Sequence, residues 1–202
     1  MGEYFAPVIA DADWEVKGYF TPGSFGTWYD DNEDMADKHS LWSEGAKLME
    51  HAYVGNKLPD AVCSWLIRMP ARVGWFGDYT DMNSVPPRLP KDLMAVVHGD
   101  GSPFIGGQWI RKLPVPDHEA SDGKWLMNLD KEQVIRIPKK QEGKWVIHPL
   151  PMLTSTDGAQ YYHKEENADL IGSWAWDLLR IVDSMPEGAE KYTVLSVDFG
   201  TD

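Results

Sequence analysis

Cysteine is nearly absent from this 202-residue chain: Cys63 is its one thiol, so no internal disulfide can form. Long hydrophobic runs are absent as well. No stretch of about 18 apolar residues exists to cross a bilayer. The opening MGEYFAPVIADADW has no cationic, hydrophobic, cleavable leader. Ala6 stands where N-myristoylation needs Ser or Thr. A soluble cytoplasmic protein with no membrane partner is expected. Positive charge is scarce: 19 Lys and Arg oppose 32 Asp and Glu, a net charge of −13. Such a balance argues against direct, non-specific nucleic-acid binding, which needs a basic face. The common catalytic motifs are missing too. There is no Gly-x-x-x-x-Gly-Lys-Ser/Thr loop, His-Glu-x-x-His, Cys-x-x-Cys or Gly-x-Ser-x-Gly elbow, and no cofactor is expected.

What is present describes a folded globule. Hydrophobic residues make up 43% and aromatics 12%, enough to build a core. Ten tryptophans exceed what a core needs, so some are candidates for an interaction surface. Charge is uneven along the chain. Residues 1–60 hold 4 basic and 12 acidic side chains, residues 61–150 hold 12 and 10, and residues 151–202 hold 3 and 10. The run Asp30, Asp31, Glu33, Asp34, Asp37 lacks calcium-loop spacing and reads as solvated loop.

The expected fold class is α+β: two adjacent helices packed on a mostly antiparallel, twisted sheet of roughly six to nine strands. Residues 1–202 form one domain whose hub is the helix–helix–strand stretch 41–81. Helix one runs from about Leu41 to Tyr53, after Ser40 as N-cap, with Gly55 as its left-handed terminator. Helix two starts near Pro59 and ends before Pro70, its stripe being Val62, Trp65, Leu66 and Met69. Arg72–Phe76 reads as a buried strand. Tyr4–Ile9 reads as an edge strand because of Pro7, and Trp14–Phe20 as its partner. Leu93–Val97 reads as a buried strand, and Gln108–Leu113 and Lys144–His148 read as further strands. Lys124–Leu129 and Gln133–Ile137 form the clearest hairpin. Trp174–Val182 fits both helical and alternating periods, and strand is favoured. Tyr192–Asp198 alternates as a last strand.

Candidate chemistry follows from His and Asp placement. Asp78 ends the Arg72–Phe76 strand, where it either meets a ligand or caps a turn. The catalytic candidates are His51, Asp78, His148 and Asp177. His98 and Asp100, two apart, are the leading metal pair within a wider set that adds Asp157 and His163; a divalent cation there lowers the pKa of bound water. His51 also reads as a core histidine near a helix carboxyl end. The binding candidates are Trp75, Tyr79, Trp125 and Trp145, with Trp75, Trp125 and Trp145 able to line an aromatic cleft.

Several stretches resemble a family of small proteins from gut bacteria and their phages: Lys47–His51 with Gly55-Asn56, Val73–Tyr79, Trp125–Asn128, and Ile147–Thr154 with Gly172–Ala175. The resemblance spans most of residues 41–182 and implies no activity. Thr80, and Ser155-Thr156-Asp157-Gly158, depart from the family pattern, which has a small aliphatic residue and a glycine-rich loop there.

The leading expectation is an acidic interaction protein that binds another protein. One specific version is a phage or mobile-element inhibitor of a host nucleic-acid-binding system, its carboxylates standing in for phosphates. A carboxylate–histidine hydrolase, possibly assisted by a metal, is the alternative, and a small-ligand binder with an aromatic cleft is the third.

Overall fold

A computed structural model describes residues 4–22, 25, 46–83, 85–99, 104, 105, 107–117, 119–156, 165–197 and 199. Its centre is the pair β1 (Tyr4–Ala10) and β4 (Ala71–Gly77), which run antiparallel from Phe5 opposite Gly77 to Ala10 opposite Arg72. Both strands are almost continuously apolar rather than alternating. That pattern marks a strand buried on both faces, and both faces are covered. Phe5, Ile9, Val73 and Trp75 point into one cluster with Leu58, Ala61, Val62 and Leu66 of α2 (Lys57–Arg68) and Leu150 and Leu153 of α4 (Pro149–Thr154). Ala6, Val8, Ala10 and Phe76 point into the other, with Leu93, Val96 and Val97 of α3 (Leu93–His98).

The remaining strands are β2 (Val16–Tyr19), β3 (Ala46–Lys47), β7 (Trp125–Asn128), β8 (Gln133–Arg136), β9 (Leu178–Val182) and β10 (Thr193–Val194). Together they make an eight-stranded sheet ordered β10-β8-β7-β9-β4-β1-β2, with β3 also on β1. Every pairing in it is antiparallel except β10 on β8. The fold is α+β with a mixed sheet. A separate two-stranded hairpin joins β5 (Phe104–Ile105) to β6 (Gln108–Trp109). Among the described residues no helix is long and apolar enough to cross a membrane.

Pro7 does not hold β1 at an edge. The amide of Asp78 donates to Tyr4 O at 3.0 Å, and partners along β1 and β4 keep that phase. Residues 4, 6, 8 and 10 therefore bond to β4, while 5, 7 and 9 turn their backbone groups the other way. On that side β3 pairs at Tyr4–Phe5 and β2 at Val8–Ala10. Pro7 falls in the gap between them, where no N–H is called for, and its carbonyl accepts from Phe20 N at 3.0 Å.

The expected pair of long helices resolves differently. Residues 46–47 form β3, and α1 is a single turn, Leu48–His51; 41–45 lie outside the described residues. The long helix is α2, capped by Asn56, whose side chain accepts from Leu58 N at 2.9 Å. Pro59 sits in its first turn, where the missing N–H costs nothing. Leu93–Val97 is a helix, not a strand: its buried residues 93, 96 and 97 have the i, i+3, i+4 spacing. Lys144–His148 forms only an isolated bridge, Ile147 to Tyr53. Within Trp174–Val182 the strand begins at Leu178; Trp176, at φ 66°, ends a run of turns. The last strand shortens to Thr193–Val194.

Candidate functional site

The carboxyl end of β4 gathers several of the expected residues. Asp78 is half-buried, and its Oδ1 accepts from Tyr4 N at 3.0 Å. Its own amide donates to Tyr4 O. The carboxylate thus takes the place of a backbone carbonyl in the last rung of the β1–β4 ladder. Next to it, Gly77 N donates to both Thr80 Oγ1 and Thr156 Oγ1 at 3.1 Å, and the two hydroxyls lie 2.6 Å apart. Thr156 also donates to Trp75 O from its amide, at 2.8 Å, and from its hydroxyl, at 3.1 Å. Thr80 and Thr156 therefore tie residue 156 to the end of β4.

His98 lies close enough to Asp78 to feel its charge. Its Nε2 donates to Phe76 O at 2.7 Å, and its ring stacks on Phe76 at 6.4 Å between centroids. Burial lowers its pKa, outweighing the upward pull of the Phe76 carbonyl and of Asp78. His98 is accordingly a neutral imidazole committed to a backbone carbonyl. Asp100, Asp157 and His163 lie outside the described residues. Among the described residues, no three His, Cys, Asp or Glu side chains gather as a metal site would require.

His148 belongs to a different and fully buried centre. It caps α4, its Nδ1 accepting from Leu150 N at 3.1 Å. In the neutral ring the proton must then sit on Nε2, which donates to Ser121 Oγ at 3.0 Å. Ser121 passes the direction on, donating from Oγ at 2.5 Å and from its amide at 2.9 Å to Asp60 Oδ1. Cys63 Sγ stands 3.8 Å from His148 Nε2. This looks like a thiol–imidazole pair, but three features oppose nucleophilic chemistry. The nitrogen facing the thiol already carries a proton. Burial, reinforced by the charge of Asp60, pushes the Cys63 pKa up and holds it as thiol. Both side chains have no exposed surface. The chain of bonds ties α2, residue 121 and α4 together.

His51 and Trp75 form another buried pair. Trp75 Nε1 donates to His51 Nε2 at 2.6 Å, and the rings stack at 5.8 Å. Trp75 has no exposed surface, so it packs in the core rather than lining a cleft. Asp177 accepts from Asn128 Nδ2 at 2.7 Å and Lys131 Nζ at 2.6 Å, which fixes the β7–β8 turn. Trp125 is half-buried beneath Arg136, 5.7 Å from its ring. The structure thus brings Asp78 and His98 together, while His51, His148 and Asp177 occupy separate bonded settings.

The surface tells a different story. Tyr79 is 60% exposed and Trp145 49%. Trp109, at 69%, and Phe104, at 49%, were not singled out by sequence. They face each other across β5 and β6 with centroids 5.4 Å apart. The signal was present: aromatics flank Gly106-Gly107, and Gly107, at φ 83°, makes the turn. Periodicity alone does not say which face of so short a hairpin meets solvent. Comparison with protein-family models, curated proteins and solved structures gives no match for this chain.

Proposed function

We propose that this protein acts by binding another protein, and that the β5–β6 hairpin is its docking element. One observation carries this reading: two large aromatic side chains, Phe104 and Trp109, pack on each other yet stay 49% and 69% exposed. Their neighbours Ile105 and Ile110 anchor the hairpin in the α3-side cluster, so the pair is presented on a seated support. Aromatic residues held this way are the usual anchors of protein interfaces. Among the described candidates for a hydrolase, His51, Asp78, His98 and His148 are engaged in backbone or buried bonds, and Asp177 pairs with Lys131. The net charge of −13 supports a basic partner, including the version in which carboxylates mimic phosphates to block a nucleic-acid-binding protein.

The test is co-purification from the producing cell with wild type and with a Phe104→Ser/Trp109→Ser variant. A discrete partner recovered with wild type and lost with the variant, at an unchanged melting temperature, is expected. Equal recovery with both would refute the docking role.

A further inference from the structure

Some of the described lysines are engaged in ion pairs. Lys17, Lys124, Lys131 and Lys191 each reach a carboxylate, as does Arg72. Others form no ion pair among the described residues: Lys91 and Lys112, each on its own, and a group of four on adjoining segments. The four are Lys57, Lys139, Lys140 and Lys144, all exposed. What sets these four apart from Lys91 and Lys112 is their place on adjoining segments of an otherwise acidic chain.

The segments adjoin because residues 139–146 fold back on 53–57. Val54 N donates to Val146 O at 2.9 Å. The Tyr53 and Trp145 rings meet at 5.0 Å, tilted by 57°. The Lys140 side chain crosses Gly55 so closely that a Cβ there would lie 3.0 Å from its Cδ. Gly143, at φ 69°, turns the loop so that Lys144 and Trp145 follow it outward. The opposing charges nearby are Glu142 and Asp122, whose Oδ2 accepts from Lys140 N at 3.5 Å. Val54 and Val146 belong to the α2-side cluster, whereas the Phe104–Trp109 hairpin is anchored on the α3 side. The two surfaces lie on opposite faces of the sheet.

The geometry points to a second binding surface, made by Tyr53, Trp145, Lys57, Lys139, Lys140 and Lys144, that takes an acidic protein segment: one apolar or aromatic side chain flanked by carboxylates. Trp145, 49% exposed, offers the apolar contact, and the lysines offer the charges around it. A nucleic-acid strand fits less well. Strand binders present successive stacking faces, and here the tilt and the half-burial of Tyr53 leave one open ring. Lysine heads on flexible stems meet carboxylates without the bidentate geometry that arginine imposes.

The probe is a fluorescein-labelled random copolymer of glutamate and tyrosine, with labelled oligo-deoxythymidine as comparison, read by fluorescence anisotropy on the full chain. Wild type should bind the copolymer at about 0.05 M salt and weaken strongly by about 0.3 M. Lys140→Glu/Lys144→Glu should bind at least about tenfold more weakly, and Trp145→Ala should weaken binding without altering its salt dependence. All three side chains are exposed, so melting should not move. Phe104→Ser/Trp109→Ser should bind the copolymer as wild type does, which separates this surface from the hairpin. No copolymer binding at low salt, binding indifferent to salt or to the charge reversal, or tighter binding of the oligonucleotide would each overturn the inference.

Discussion

Asp78 shows how much a single side chain's meaning depends on its partner. At the end of a strand a carboxylate invites a functional reading, but this one accepts from Tyr4 N and completes the β1–β4 ladder. Removing it leaves a strand amide without its acceptor, at a cost of roughly 1–3 kcal/mol. Asp78→Ala should lower the melting midpoint by more than about 4 °C, and Asp78→Asn, which keeps an acceptor, by less. Equal, negligible shifts in both would return Asp78 to the list of solvent-facing candidates. Gly74 is a sharper case. An added Cβ would stand 2.3 Å from Cζ2 of the Trp176 indole. Gly74→Ala should therefore destabilise by about 1–3 kcal/mol through overpacking, read as a lower midpoint; a neutral outcome would mean that the indole can move aside.

His148 gives a prediction in pH. Burial pushes its folded pKa down to about 3, against about 6.5 in an unfolded chain. As pH falls, the unfolded state takes the proton first. The stability due to neutral His148 is complete above about pH 6.5 and drains at about 1.4 kcal/mol per pH unit down to about pH 3. Denaturant unfolding at pH 7 and 5 should show wild type losing about 2 kcal/mol more than His148→Asn, which keeps an acceptor at the N-cap. Identical losses would contradict the buried neutral state.

Among the elements, those with strong local signals were legible in the sequence. The β7–β8 hairpin, β4 and α2 follow from two apolar stretches joined by Asp130-Lys131-Glu132, an apolar run, and an amphipathic stripe between Pro59 and Pro70. Leu93–Val97 was not legible as a helix, because a five-residue apolar run satisfies both periods. Helix one failed for a tertiary reason: Ala46-Lys47 pair with Tyr4-Phe5, some forty residues away, and strand pairing overrides local propensity there. The candidate site was legible in part. Asp78 lies near enough to His98 for its charge to act there, but the backbone groups that engage the two come from Tyr4 and Phe76, which spacing cannot reveal. The aromatic hairpin was readable as a turn between strands, while its exposure depended on Ile105 and Ile110 going inward. Since Phe104 and Trp109 are exposed, replacing both with Ser should leave the melting midpoint within about 2 °C of wild type, a shift worth under about 1 kcal/mol. A larger loss would show that the pair supports the fold rather than a partner.

Across the whole molecule, polar chemistry and surface chemistry separate. Asp60, His51 and His148 lie inside the fold, joined to other buried or backbone groups. Arg72 links the layers at mid-sheet, donating to Asp130 at 2.8 Å and to Trp176 O at 2.9 Å while its guanidinium covers the Trp14 ring at 4.2 Å. Among the described residues, exposed aromatic side chains stand at Phe104 and Trp109 on one side of the sheet and at Trp145, beside lysines, on the other. The central claim, that the Phe104–Trp109 hairpin is where this protein meets a protein partner, is tested most directly by placing a photo-crosslinking phenylalanine analogue at position 109 in the producing cell. Irradiation should yield one discrete covalent protein adduct, absent when the same analogue replaces the exposed Glu187. No adduct at position 109 beyond that seen at 187 would contradict the account.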